Sequence, residues 1–155
     1  MDSRERLVAF FKDHQVPFEE LKHPVRYTMP EVAACLHVSG HAVAKVVIVK
    51  TNGDDLAMFV LSSPDRLDMG RVREILEAPR ARLAKEEEFA QHFADCAIGA
   101  MPPFGNLYGI PVYLDRRLSQ QNTIVFRAGS HQRAMRIAMD DYRRLVRPEI
   151  VHVSI

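Results

Sequence analysis

Apolar residues recur every three or four positions at the start of the chain and every second position further on. Leu7, Phe10, Phe11 and His14 fall on one face of a helix predicted over residues 3–14. Val16–Leu21 reads as a short strand, with Pro17 favouring a sheet edge because proline has no ladder donor. Thr28-Met29-Pro30-Glu31 has the spacing of a capping box and opens a predicted helix that runs to about Val38. Residues 42–51 form the strongest strand signal. Asn52-Gly53-Asp54-Asp55 is a turn, and residues 56–62 return as a second strand, so 42–62 is a predicted hairpin.

Residues 68–78 then carry Val72, Ile75 and Leu76 at helical spacing. A short strand is expected at 82–84 and a short helix at 85–93. Residues 99–109 hold too much glycine and proline for regular structure. Strands are expected at 112–114, 123–127 and 133–139, and a helix over 140–146 that Pro148 stops. Helices and strands interleave irregularly around a tight hairpin. That pattern predicts an α+β fold with a mixed sheet in one domain spanning residues 1–155, with no repeat or linker.

Composition narrows the function classes. A chain of 155 residues with 47% hydrophobic content can bury its own core. Cys35 and Cys96 are the two cysteines, and there is no CxxC, HExxH or Cys/His cluster, so neither a metal nor another cofactor is expected. No run approaches the ~20 apolar residues of a membrane span, and no apolar signal core follows the first residues, so a cytoplasmic location is expected. The formal charge of +1 conceals a basic stretch: residues 116–147 hold eight arginines against Asp140 and Asp141. Such a flank can meet a phosphate backbone or simply be a solvated surface.

Three places can carry chemistry. Lys45 interrupts an apolar strand on the face of Val43, Val47 and Val49. If that face is buried, the ammonium loses hydration and its pKa falls; if it faces solvent, the side chain is ordinary. Gly99-Ala100-Met101-Pro102-Pro103-Phe104-Gly105 is either a tight connection or a stiff loop whose bare backbone N–H can meet a carbonyl oxygen. Gly129-Ser130-His131 is either surface or a loop presenting its imidazole to a pocket.

In combination and order these segments resemble the YbaK/ProX aminoacyl-tRNA editing family. Ala44-Lys45-Val46-Val47 is similar to its lysine strand, and residues 60–68 to its return strand and following helix start. Residues 99–105 and 107–113 resemble its glycine–proline loop, Ala128-Gly129-Ser130-His131 its late histidine loop, and His23-Pro24 with residues 28–31 its first loop and helix. The likeness spans residues 5–148.

The resemblance implies a mixed, barrel-like sheet wrapped by helices, with the pocket between the lysine strand and the glycine–proline loop. It implies metal-free hydrolysis, in trans, of an aminoacyl-tRNA ester carrying a small wrong amino acid such as alanine on a proline tRNA. Lys45, Gly99 and His131 take the catalytic positions. Tyr27, Thr28, Met101, Pro102, Pro103, Phe104, Gly129 and Ser130 border the substrate, and Arg127, Arg133 and Arg136 are acceptor-stem contacts. The expected partners are the acceptor end of a mischarged tRNA and an aminoacyl-tRNA synthetase, with neither membrane nor DNA. The family branch that removes cysteine has an Asp on the strand after the histidine loop, where this chain has Ala134 and Met135. Two other readings compete: a non-catalytic tRNA- or synthetase-binding module, and a hydrolase of another small acyl ester or cysteine derivative.

Overall fold

The structure is a computed structural model that describes residues 2–22, 33–34 and 38–155. Most of the helix expected from Thr28 lies outside them, as do Tyr27 and Thr28.

Helix α1 (Ser3–Asp13) opens where the Asp2 carboxylate accepts the Glu5 N–H at 2.8 Å. Its apolar stripe buries Leu7 and Phe11 completely. Strand β1 (Glu19–Lys22) follows Pro17 and forms the edge of a three-stranded antiparallel sheet in the order β1-β7-β6, with β6 at Thr123–Arg127 and β7 at Arg133–Ala138. Edge placement agrees with the proline.

The second sheet is mixed. Its order is β4-β2-β3-β5-β8, with β2 at Ala44–Lys50, β3 at Leu56–Ser62, β4 at Arg82–Leu83, β5 at Val112–Asp115 and β8 at Glu149–Val151. The predicted hairpin is β2–β3, in register from Ala44 opposite Ser62 to Lys50 opposite Leu56. The pairs β3–β5 and β5–β8 are parallel. All seven β3 residues are buried because both faces of that strand are covered, which explains a continuous apolar run where alternation would otherwise appear.

One face of β2, carrying Ala44, Val46 and Ile48, packs into the main core with Phe11, Phe104 and Phe126. The other face, with Val47 and Val49, meets Phe59 and helix α2 (Met69–Leu76), which buries Val72. Asp68 caps α2 through the N–H groups of Gly70 and Arg71. Helix α3 (Glu86–Phe89) and a 3₁₀ turn at Ala90–Phe93 fill the span predicted as one short helix. Lys50, at the end of β2, is ion-paired with Glu88 at 2.8 Å.

Helix α5 (Met139–Val146) closes the main core with Tyr142 and Val146. Two elements carry no sequence signal: the one-turn helix α4 (Arg116–Ser119) and β8. The fully buried Asp115 caps α4 and holds the chain just past β8. One of its oxygens accepts the Arg117 N–H at 3.2 Å, and the other accepts those of Val153 and Ser154 at 3.0 and 3.1 Å.

The sheets do not close into a barrel. They touch where Val43 and Val125 form a parallel bridge, which lays the start of β2 alongside β6.

Candidate active site

Lys45 sits on β2 just beyond that bridge, partly buried. Its ammonium donates to the main-chain carbonyl of Asp65, in the turn after β3. Burial pushes the Lys45 pKa below its ordinary value of 10.5; the Asp65 charge opposes this and Arg66 reinforces it. Asp65 is itself 8% exposed, and its carboxylate lies 3.5 Å from Arg117.

The loop from Gly99 to Gly105 is built to hold one shape. Tyr142, fully buried on α5, donates to the Pro103 carbonyl at 2.6 Å. Phe104 is 0% exposed and packs edge-on against Phe11, Phe126 and Tyr142. Gly99 has φ +80°, a region that side chains disfavour. Its N–H meets no acceptor among the described residues.

Two side chains from the β6–β7 connection reach this loop. Arg127, at the end of β6 and 4% exposed, donates through Nη1 to the Gly99 carbonyl at 3.0 Å. His131 places Nε2 2.8 Å from the Ile98 carbonyl. A methyl group added to Gly99 would sit 3.5 Å from His131 Cε1. The loop is also tied down by main chain: Gly129 N–H donates to Ala100 O at 2.9 Å, and Ala97 N–H to Gly129 O at 2.8 Å.

Between β2 and the loop lies a cavity of about 140 Å³, lined by Ala44, Lys45, Val46, Gly99, Met101, Phe126 and Arg127. Cationic and bare main-chain groups share its wall with four apolar side chains. Larger hollows of about 420 and 410 Å³ border residues 109–113, but none of the expected site residues lines them.

The fold thus brings Lys45, Gly99, Met101 and Arg127 onto one cavity, with His131 against the loop that forms its wall. Other expected positions fall elsewhere. Pro102, Pro103 and Phe104 are buried behind the loop and shape it from the core side. Gly129 and Ser130, with Arg133, line a separate hollow of about 80 Å³ beside Ser3 and Asp95. Arg127, expected on the outside as an acceptor-stem contact, is buried in the cavity wall. Arg136 is held by Glu19 across the β1–β7 pair.

The sequence profile of the aminoacyl-tRNA editing domain matches residues 23–145. The chain belongs to that family. The editing domain is 24% identical, over 97% of its own length and 92% of the relative's, to the multifunctional Ser/Thr-tRNA deacylase ProXp-y of Escherichia coli K12. A solved structure of a candidate trans-editing enzyme for prolyl tRNA synthetase superposes with a TM-score of 0.84 at 21% identity, covering 99% of this chain and 97% of that one. The crystal structure of hypothetical protein APE2540 gives 0.87 at 21% identity, covering 97% and 99%. These two likenesses show a shared fold. The aminoacyl-tRNA-editing hydrolase expected from the sequence agrees with the family.

The editing domain's site and its surroundings include groups that no local sequence pattern singles out. Asp65 lies in a polar turn with nothing local to tie it to Lys45. Ala44, Val46 and Phe126 read as ordinary core. Arg127 offers one signal, an arginine closing the apolar strand Thr-Ile-Val-Phe, beside its expected role as an acceptor-stem contact.

Proposed function

We propose that this editing domain hydrolyses, in trans, the ester of a tRNA charged with a small wrong amino acid. The observation that supports this reading is the small cavity whose walls include Lys45, Arg127 and the bare Gly99 backbone together with four apolar residues. An aminoacyl ester brings a carbonyl that turns into an oxyanion when water attacks. A fixed N–H directed at that oxygen stabilises the developing charge without a metal.

In the step we propose, water adds to the ester carbonyl carbon. The Gly99 N–H takes the oxyanion and Lys45 supplies positive charge to the ribose or to its phosphate. The bond from carbonyl carbon to ribose oxygen then breaks. The ribose oxygen leaves as a hydroxyl carrying one proton of the water, the other proton passes to solvent, and the amino acid departs as its carboxylate. The side-chain pocket is formed by Ala44, Val46, Met101 and Phe126, and excludes large residues by clash. Shortening a substrate by one methylene changes its binding by only ~1–3 kcal/mol, so smaller acids are admitted. Alanine on a proline tRNA fits this pocket. Serine and threonine, named for the E. coli relative, are the neighbouring choices. Tyr27 and Thr28 complete the substrate border in this reading, and a synthetase supplies the mischarged tRNA.

The test is a deacylation panel: alanine, serine, threonine and cysteine esterified to proline and other tRNAs, with wild-type protein and Lys45→Ala. The reading requires release of at least one small amino acid, and its loss in the variant. No release above the spontaneous rate from any substrate would refute it.

A further inference from the structure

His131 and Arg127 hold adjoining peptide units of the same loop. The Ile98 carbonyl and the Gly99 N–H belong to one peptide. That peptide is trans and planar, so the two groups point in opposite directions. His131 Nε2 lies 2.8 Å from the Ile98 carbonyl. A donor fixed on that oxygen therefore fixes the direction of the N–H on the other side of the plane. The next peptide carries the Gly99 carbonyl, which accepts from Arg127 Nη1 at 3.0 Å. Gly99 itself, at φ +80°, is free of the side-chain restraints that would otherwise hold its two peptides. The clamp supplies that missing restraint.

We infer that His131 and Arg127 form a two-point clamp that aims the Gly99 N–H, and that both are positioning residues rather than groups that exchange protons with substrate. His131 Nε2 faces a main-chain carbonyl, so the lone pair that a general base would use lies on Nδ1, which is buried. A carbonyl oxygen only accepts, so Nε2 must carry the proton there. Arg127 cannot act as a base under any ordinary condition, because a guanidinium does not give up its proton. Its burial is explained by the carbonyl it serves. A charged donor on a neutral carbonyl also outlasts a neutral one, which suits a loop that must keep its aim while substrate binds.

This inference rests on the proposed role of the Gly99 N–H, so its experiment has two independent readouts. The first is single-turnover and steady-state deacylation by His131→Ala, His131→Gln, Arg127→Met and Arg127→Lys. Glutamine offers an N–H near the position of Nε2 and cannot accept a proton as a base. The clamp predicts that His131→Ala and Arg127→Met lower kcat roughly 10²-fold, the size of losing an oriented oxyanion donor, with KM little changed. It predicts that His131→Gln recovers most of the loss and Arg127→Lys part of it. His131→Gln as inactive as His131→Ala, with both folded, would overturn the clamp in favour of proton transfer by the ring.

The second readout is the Gly99 and Ala100 amide resonances in ¹⁵N-labelled protein. The clamp predicts displaced or exchange-broadened signals for these two amides in His131→Ala and Arg127→Met, with the β2–β3 amides unmoved. Unchanged Gly99 and Ala100 signals would refute the clamp whatever the activity. Displaced signals in a protein that deacylates nothing would instead leave the clamp standing and refute the proposed reaction.

Discussion

Val43, just before β2, and Val125 on β6 pair in parallel, and two residues further along each segment come Lys45 and Arg127. Both line the same cavity. A contact between two fully apolar residues therefore sets the distance between the charged groups of the site. It also brings together strands of two different sheets that are otherwise separate ladders.

Replacing Lys45 by alanine is expected to reduce deacylation about 10²-fold or more, in line with the loss of one transition-state electrostatic contact. The folded state should tolerate the change, because a partly desolvated ammonium is being removed. Matched thermal melts and single-turnover assays check both halves.

The alkaline limb of the activity profile should lie below 10.5, because burial favours the neutral form of Lys45. The sign for stability follows from the same shift. Between the folded and unfolded pKa values the unfolded chain holds more protons, so stability rises with pH across that window. Below the folded pKa the cost of burying the charge is present in full. Lys45→Arg, which stays charged, is expected to lose this limb. Rates are measured against the spontaneous hydrolysis of the ester at each pH.

Gly99→Ala should lower kcat while costing about 1–2 kcal/mol of stability, the usual penalty for a side chain in the left-handed region. The added methyl meets His131 only at 3.5 Å, so the strain lies in the backbone rather than in a clash. Denaturant titration alongside activity separates the two effects.

Gly129→Ala behaves differently. At φ +88° its new Cβ would stand 2.6 Å from Ser3 Cβ, so strain and overlap add to about 2–4 kcal/mol. Ser3→Gly in the same chain removes the overlap and leaves the strain, so the double variant should recover part of the loss. A double-mutant cycle of unfolding free energies measures this coupling.

Met101→Ala is expected to widen the cavity and shift preference toward bulkier acyl groups by about 10-fold or more per added methylene. The check is the ratio of kcat/KM for threonyl and alanyl esters on one tRNA. An unchanged ratio would place the side-chain pocket elsewhere.

The sequence alone located most of the described elements and marked out the three chemical segments. Alternation and turn residues defined the β2–β3 hairpin. Asp68 and the spacing of Val72, Ile75 and Leu76 defined α2, and the glycines and prolines of 99–105 marked an irregular loop. These are local properties, set by backbone geometry and by which face each side chain occupies. Helix α4 is a single turn, too short to show a period, and strand β8 is not legible because its partner β5 and the Asp115 carboxylate that holds Val153 and Ser154 just beyond it lie more than 30 residues away. Arg127 was misplaced for a related reason. Its charge suggests solvent, and only the packed fold shows the Gly99 carbonyl at 3.0 Å from its guanidinium. Periodicity tells which side of a strand a residue takes; what stands opposite that side is decided by the association of segments far apart in the chain.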